Sequence, residues 1–344
     1  MANEVWALID ELGKKNGITE IMINSPESIF IERQGQIIQI NAQLTDKGID
    51  QFVLEVAKLN GKICDSNTPI LDGKLPDGSR VNIITKPYVD KSPAISIRKY
   101  LKTIVSFDKN PDVFGLGPQW ITFFKAIAKA KLNVVVSGGT GAGKTTFLNL
   151  LINEIPKHER VVTIEDTLEL NLQMPNVVRL DSGIKDVLST SKVDTRALVK
   201  NTLRMRPDRI IIGESRGPEL FDLIQAMNTG HDGSFTTIHS NSCIDCLSRM
   251  ETLYMMSGFE MPILAIRKHI SSVVHFIVQL AKDKNGNRVI EEIIEINGME
   301  GNHILRQTIA KREEGYLIFK GAAPSVMNQL HEKAGLPINF FENF

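Results

Sequence analysis

Apolar positions follow two different rhythms along this chain. Val5, Leu8, Ile9 and Leu12 recur at the spacing of one helix face, which predicts a helix over 3–15. Ile18, Ile21 and Ile23, then 29–32 and 36–40, read as short strands, with Arg33, Gln34 and Gly35 as the turn between the last two. Phe52, Val53, Val56, Ala57 and Leu59 supply one face of a second helix over 45–59. A hairpin over 71–85, turning at Pro76, Asp77, Gly78 and Ser79, and a strand over 96–100 complete a small α+β unit.

From residue 119 the units lengthen. Helices are expected over 120–130, 145–154, 218–228, 242–258 and 260–271. Apolar strands are expected over 133–136, 161–164, 209–213 and 234–238, and two more, 273–279 and 289–297, flank a turn at 283–287. Short apolar strands separated by crossover helices predict a mostly parallel sheet covered on both faces, hence an α/β fold. Between the two regimes Asp108, Asn110, Pro111, Asp112, Gly115, Gly117 and Pro118 break any periodicity. The expected organisation is an N-terminal α+β domain over 1–103, a linker over 104–116 and a C-terminal α/β domain over 117–344.

Composition narrows the classes. With 42% hydrophobic and 23% charged residues, the chain reads as an ordinary soluble protein long enough, at 344 residues, for two cores. Forty basic residues offset forty acidic ones, so no basic excess points to nucleic acid, and direct nucleic-acid binding is not expected. Cys64, Cys243 and Cys246 are too few for a disulfide framework and fit a reducing compartment; the Cys243 and Cys246 spacing suits a metal, but no second pair follows. Residues 1–17 lack the apolar stretch of a signal peptide, and nowhere do about eighteen apolar residues run together. A cytoplasmic protein, peripheral to the membrane through a partner, is expected.

One motif carries chemistry. Gly138, Gly139, Thr140, Gly141, Ala142, Gly143, Lys144 and Thr145 satisfy G-x-x-x-x-G-K-[ST], between an expected buried strand and an expected helix. Glycines let the backbone turn tightly and aim its N–H groups at phosphate oxygens, and the helix start adds donors and a positive dipole end. Lys144 is expected on the β and γ phosphates of ATP, and the Thr145 hydroxyl on Mg²⁺; Thr146 continues the binding stretch. Lys144 and Thr145 immediately after the last glycine argue against a dinucleotide fingerprint.

A phosphate loop alone does not separate an ATPase from a small-molecule kinase, and carboxylates at strand ends help. The strand 210–213 runs into Glu214, expected as the general base that orients water and as a metal ligand. The strand 161–164 runs into Glu165 and Asp166, expected to hold the metal or its water. His239, after the strand 234–238, is expected to sense phosphate, and His231, before it, to help bind nucleotide. A nucleotide-binding module without turnover is the competing class, and intact Lys144, Thr145, Glu165 and Glu214 argue against it.

This ordered set resembles the secretion ATPases of type II, type IV and pilus systems, most closely the Flp (tight adherence) pilus assembly ATPases. The likeness rests on the stretches 18–24, 29–33, 75–82 and 97–99, the phosphate loop, 163–166 as an Asp box, 203–209 leading to Glu214, Arg216 and Gly217, and 230–239 as a His box. The resemblance implies a RecA-like C-terminal domain with a PAS-like N-terminal domain, assembled as a homohexamer against a polytopic inner-membrane platform protein. In the family, arginines of the N-terminal domain reach the phosphates, and carried over these are Arg80 and Arg98; Arg204 and Arg206 are expected at the nucleotide-facing loop or the subunit interface, and Arg216 at either. Three departures stand out. Ser215 replaces the family's usual valine, Cys246 a common alanine, and a four-cysteine zinc element is lacking. The chain is also expected to lack the long extension that precedes this domain in many Flp-type members. The implied function is ATP hydrolysis driving pilus assembly or secretion, with type IV secretion-like DNA or effector transfer as the alternative.

Overall fold

Alternation of apolar and polar residues gives the N-terminal unit a sheet with one wet face. The computed structural model describes residues 3–15, 17–33, 35–100, 106–109, 113–183 and 193–344, which fall into two compact units divided after the first hundred residues. Gln34 of the expected turn and residues 104–105 and 110–112 of the expected linker lie outside the described residues.

In the first unit, α1 (Glu4–Gly13) begins at Asn3, whose Oδ1 accepts from the Val5 N–H at 2.8 Å. Strands β1 (Ile18–Ser25), β2 (Ser28–Arg33) and β3 (Gln36–Gln39) precede α2 (Asp46–Leu59), which is capped by Thr45. The hairpin β4 (Ile70–Lys74) and β5 (Arg80–Ile84), then β6 (Ala94–Arg98), complete an antiparallel sheet in the order β3-β2-β1-β6-β5-β4. Ile21, Ile97 and Val81 form one cross-strand row and Ile23, Ile95 and Ile83 another; both are buried with Val5, Ile9, Phe52 and Val56 of the two helices. The row flanking the first of these carries Glu20, Arg98, Arg80 and Lys74.

The second unit opens with a short turn of 3₁₀ helix at Val113–Gly115 and then α3 (Pro118–Lys129). Next come β7 (Val134–Gly138), α4 (Lys144–Asn153), β8 (Val161–Glu165), β9 (Val177–Asp181) and α5 (Thr195–Thr202). After them follow β10 (Arg209–Ile212), α6 (Glu219–Asn228), β11 (Phe235–Ile238), α7 (Cys243–Met255) and α8 (Ile263–Val273). The last elements are β12 (Phe276–Lys282), β13 (Arg288–Glu300), β14 (His303–Glu313), β15 (Tyr316–Phe319) and α9 (Met327–Ala334). One nine-stranded sheet results, ordered β15-β14-β13-β12-β7-β11-β10-β8-β9. From β12 to β9 all neighbours are parallel, as expected, while β13, β14 and β15 extend the sheet antiparallel. Both faces are covered. Val134, Val136, Ile211 and Phe276 join one apolar cluster with α3, α4 and α9, and Val135, Ile210, Ile212 and Ile277 join another with α6, α7 and α8. Residues 273–275, expected to open a strand, instead finish α8 and turn, because Val273 is packed as a helix residue.

Parallel strands put their C-terminal ends on one edge. That edge carries Gly138, Glu165, Glu214, His239 and Lys282.

Candidate functional site

β7 sits between β11 and β12, in the middle of the sheet, and its C-terminal end leads directly into the glycine-rich loop. Gly141 and Gly143 adopt φ of 73° and 94°, a left-handed backbone that side chains strain to occupy. Space is the second constraint. A Cβ on Gly143 would lie 2.8 Å from Arg288 Cδ and 3.0 Å from the Phe114 ring, and one on Gly138 would lie 2.8 Å from the Leu280 carbonyl oxygen. Above Gly139 there is open space. Gly143 precedes α4 without any side-chain cap, so the donors of that helix start face the loop. The Lys144 ammonium folds over it, donating to Gly138 O at 2.8 Å and Gly139 O at 3.0 Å.

Glu214 follows β10 and is a quarter exposed. Burial pushes its carboxyl upward, but Arg216, Lys144 and His239 together outweigh burial and hold it below the usual glutamate range. Arg216 donates to Glu214 Oε2 at 2.7 Å, and its other terminal nitrogen lies 3.4 Å from Asp166 Oδ2. Asp166 also accepts from Ser182 Oγ at 3.0 Å. His239, exposed at the end of β11, completes this edge. The structure thus gathers Lys144, Glu214, Asp166 and His239, with Thr145 in the first turn of α4 beside them in sequence. A hydroxyl and two carboxylates are hard oxygen donors of the kind Mg²⁺ takes, and a loop of bare amides fits the polyphosphate it accompanies.

Four expected site residues stand elsewhere. Glu165 is 3% exposed, and both its oxygens are taken by protein donors: Thr163 Oγ1 at 3.0 Å, the Glu169 and Leu170 N–H groups at 2.8 Å each, and Arg179 at 3.4 Å. Burial lifts its carboxyl above the ordinary range against the pull of those partners. Such a group anchors the 166–170 loop and has no oxygen left for metal or water. His231 lies before β11, at the opposite edge of the sheet, where its Nδ1 sits 3.1 Å from the Ala226 carbonyl oxygen at the end of α6. Arg204 and Arg206 are exposed in the turn between α5 and β10, at that same far edge. Strand direction keeps all three away from the phosphate loop of their own chain.

In the N-terminal unit, Arg80 and Arg98 face each other in register across β5 and β6. On the other side of Arg98, Glu20 of β1 stands in register with it. Ser215, the departure after Glu214, is 2% exposed, and its hydroxyl pairs with Thr236 Oγ1 at 2.8 Å, so the substitution brings its own partner. Cys243 and Cys246 are buried on α7. Burial raises both thiols, Cys246 to about 12, which leaves them inert at neutral pH.

Lys282 and Arg288 were not expected at the site. They pair in register at the mouth of the β12–β13 hairpin, and Lys282 Nζ and Arg288 Cδ lie 3.3 and 2.8 Å from where a Cβ would stand on Gly141 and Gly143. Their signal was available, since a strand parallel to β7 must end at the same edge.

A cradle of glycine amides closed by a lysine, with a carboxylate after a strand two places along the sheet, suits a polyphosphate. The chain belongs to the Type II/IV secretion system protein family, which it matches over residues 4–315. It is 32% identical over 300 residues to the conjugal transfer protein TrbB of Rhizobium radiobacter, covering 86% of this chain and 89% of that one. With the type IV secretion system protein VirB11 of Bartonella quintana it shares 30% over 318 residues, covering 81% and 88%. Among solved structures, the ATPase DotB of Legionella pneumophila matches with a TM-score of 0.62 over 84% of this chain and 80% of that one, at 22% identity, a likeness of fold.

Proposed function

We propose that this chain is the ATP-hydrolysing motor of a secretion or pilus-assembly machine, with a RecA-like domain carrying the P-loop and a PAS-like N-terminal domain. The observation that carries this is the convergence of Lys144, Glu214, Asp166 and His239 around the glycine loop at one sheet edge. The ATP polyphosphate lies on the loop amides, and Lys144 exchanges its two carbonyl partners for the β and γ phosphates. Magnesium, bound with the nucleotide, supplies charge neutralisation, with Thr145, Asp166 and Glu214 as the oxygen donors available to it. Glu214 holds a water in line with the γ phosphate and takes its proton; His239 reports the phosphate's presence. Arg80 and Arg98 form a paired cationic patch suited to a polyphosphate. The working unit is a homohexamer that drives a polytopic inner-membrane platform protein from the cytoplasmic side. Consistent with attachment through a partner, no helix among the described residues is long and apolar enough to cross a membrane. Likeness of the sequence boxes to the Flp branch supports pilus assembly as the cargo task.

A second reading is transfer of DNA or effectors, and the conjugal transfer and type IV secretion relatives favour it. Phosphate release by the purified protein, measured with and without single-stranded DNA, tests both. Release above background that Lys144→Ala abolishes is the expected result for a motor. Stimulation by DNA that fades at high salt selects the second reading. No release in any assembled state contradicts both.

A further inference from the structure

The segment that follows β10 is held through its backbone at nearly every step. The Gly213 N–H donates to Ile164 O at 2.8 Å and the Ser215 N–H to Thr237 O at 2.9 Å. The Arg216 and Gly217 N–H groups both donate to Glu219 Oε1, at 2.6 and 2.8 Å. Thr237 Oγ1 adds a bond to Gly213 O at 2.8 Å, and Ser215 Oγ pairs with Thr236 Oγ1. Glu219 is itself 7% exposed, so this clamp is sheltered from water. The backbone under Glu214 and Arg216 is therefore fixed, and only their side chains are at liberty.

Residues two apart on such a segment project to the same side. Arg216 uses this to reach back to Glu214 Oε2, and its planar guanidinium spans on to Asp166 at the end of the adjacent strand. Among the described residues, no hydrogen bond reaches the other oxygen, Glu214 Oε1. A rigid fork that holds one oxygen of a carboxylate sets the direction of the other. Arg216 is 59% exposed, and exposed ion pairs add little to folding, so what this contact contributes is orientation.

We propose that Arg216 is a positioning residue for ATP hydrolysis: it grips Glu214 through Oε2 and thereby presents Oε1 to the attacking water. This rests on Glu214 being the water-orienting base. Arg216 touches neither the water nor the phosphates in this scheme. A lysine could replace part of the grip, but as a point charge it holds one carboxylate less directionally.

A double-mutant cycle on the assembled protein tests it, with kcat and KM for ATP measured for wild type, Arg216→Ala, Arg216→Lys, Glu214→Gln and the Arg216→Ala, Glu214→Gln pair. Misorientation of a catalytic group predicts a kcat loss of roughly 10–100-fold for Arg216→Ala, with KM changed less than about twofold. Arg216→Lys is expected between the alanine variant and wild type. In the Glu214→Gln background, removing Arg216 is expected to cost little further, because its short contact is to that carboxylate and Asp166 lies farther off, at 3.4 Å. An additive cycle, a rise in KM that accounts for the loss, or a loss that follows dissociation on a sizing column would each overturn the proposal while leaving Glu214 in its role. Wild-type turnover by Glu214→Gln would overturn the parent reading, and the proposal with it.

Discussion

Gly233 shows how a single residue fixes what its neighbours do. Its φ is 75°, and a Cβ there would stand 2.0 Å from Arg209 Nη1. Arg209 cannot yield, because it is 0% exposed and bound to Glu159 at 2.6 and 3.1 Å. Gly233→Ala should therefore disturb a buried ion pair and destabilise the protein by about 3–5 kcal/mol in urea unfolding. Gly230→Ala has the same left-handed backbone, φ 96°, but nothing within 4 Å, and should cost only about 1–2 kcal/mol. Equal costs would remove the clash from the explanation. At this scale the sequence was legible wherever chemistry demands a fixed spacing, as in the loop 138–145 and in Glu214 at a strand end. It was not legible where spacing is silent about direction. His231 lies eight residues from His239 in sequence, yet one strand's length separates them, at opposite edges of the sheet. Glu165 and Asp166 are adjacent, but only the second faces outward, since successive strand residues alternate.

In the C-terminal unit, the hydrophobic rhythm revealed the buried central strands and missed those toward the two ends of the sheet. β14 carries exposed Arg306, Lys311 and Glu313 and follows β13 as an antiparallel extension, so no apolar run announces it, and β15, though apolar throughout, is only four residues long. β9 escaped as well, being only half buried at the sheet's other edge. These quiet elements nevertheless serve the site. Arg312 of β14 donates to the Ile290 carbonyl at 2.7 Å and to those of Phe114 and Gly115 at 3.2 and 3.3 Å, fastening the segment whose Phe114 ring lies against Gly143. Charge-assisted bonds of this kind are worth about 1.5–3 kcal/mol when a partner is removed. Arg312→Ala should lower stability by that order and also weaken ATP binding, as read by fluorescence titration with a labelled nucleotide. Unchanged affinity in a folded variant would separate the 113–115 turn from the phosphate loop.

For the whole molecule, the family match spans both units. The N-terminal unit carries Arg80 and Arg98 in register, and the C-terminal unit carries the loop and the carboxylates. If the working form is a homohexamer, a variant that binds ATP without turning it over should collect in that state. In ATP and Mg²⁺, Glu214→Gln should give a mass by light scattering near six times 38.3 kDa, and a persistent monomer under those conditions would contradict the ring. The most direct test of the site lies in that same variant. Steady-state phosphate release and equilibrium ATP binding should be measured side by side on wild type and Glu214→Gln. The predicted result is a fall in release of roughly 10²–10⁴-fold with ATP binding retained. Near-normal release would contradict the assignment of Glu214 and with it the proposed chemistry of this sheet edge.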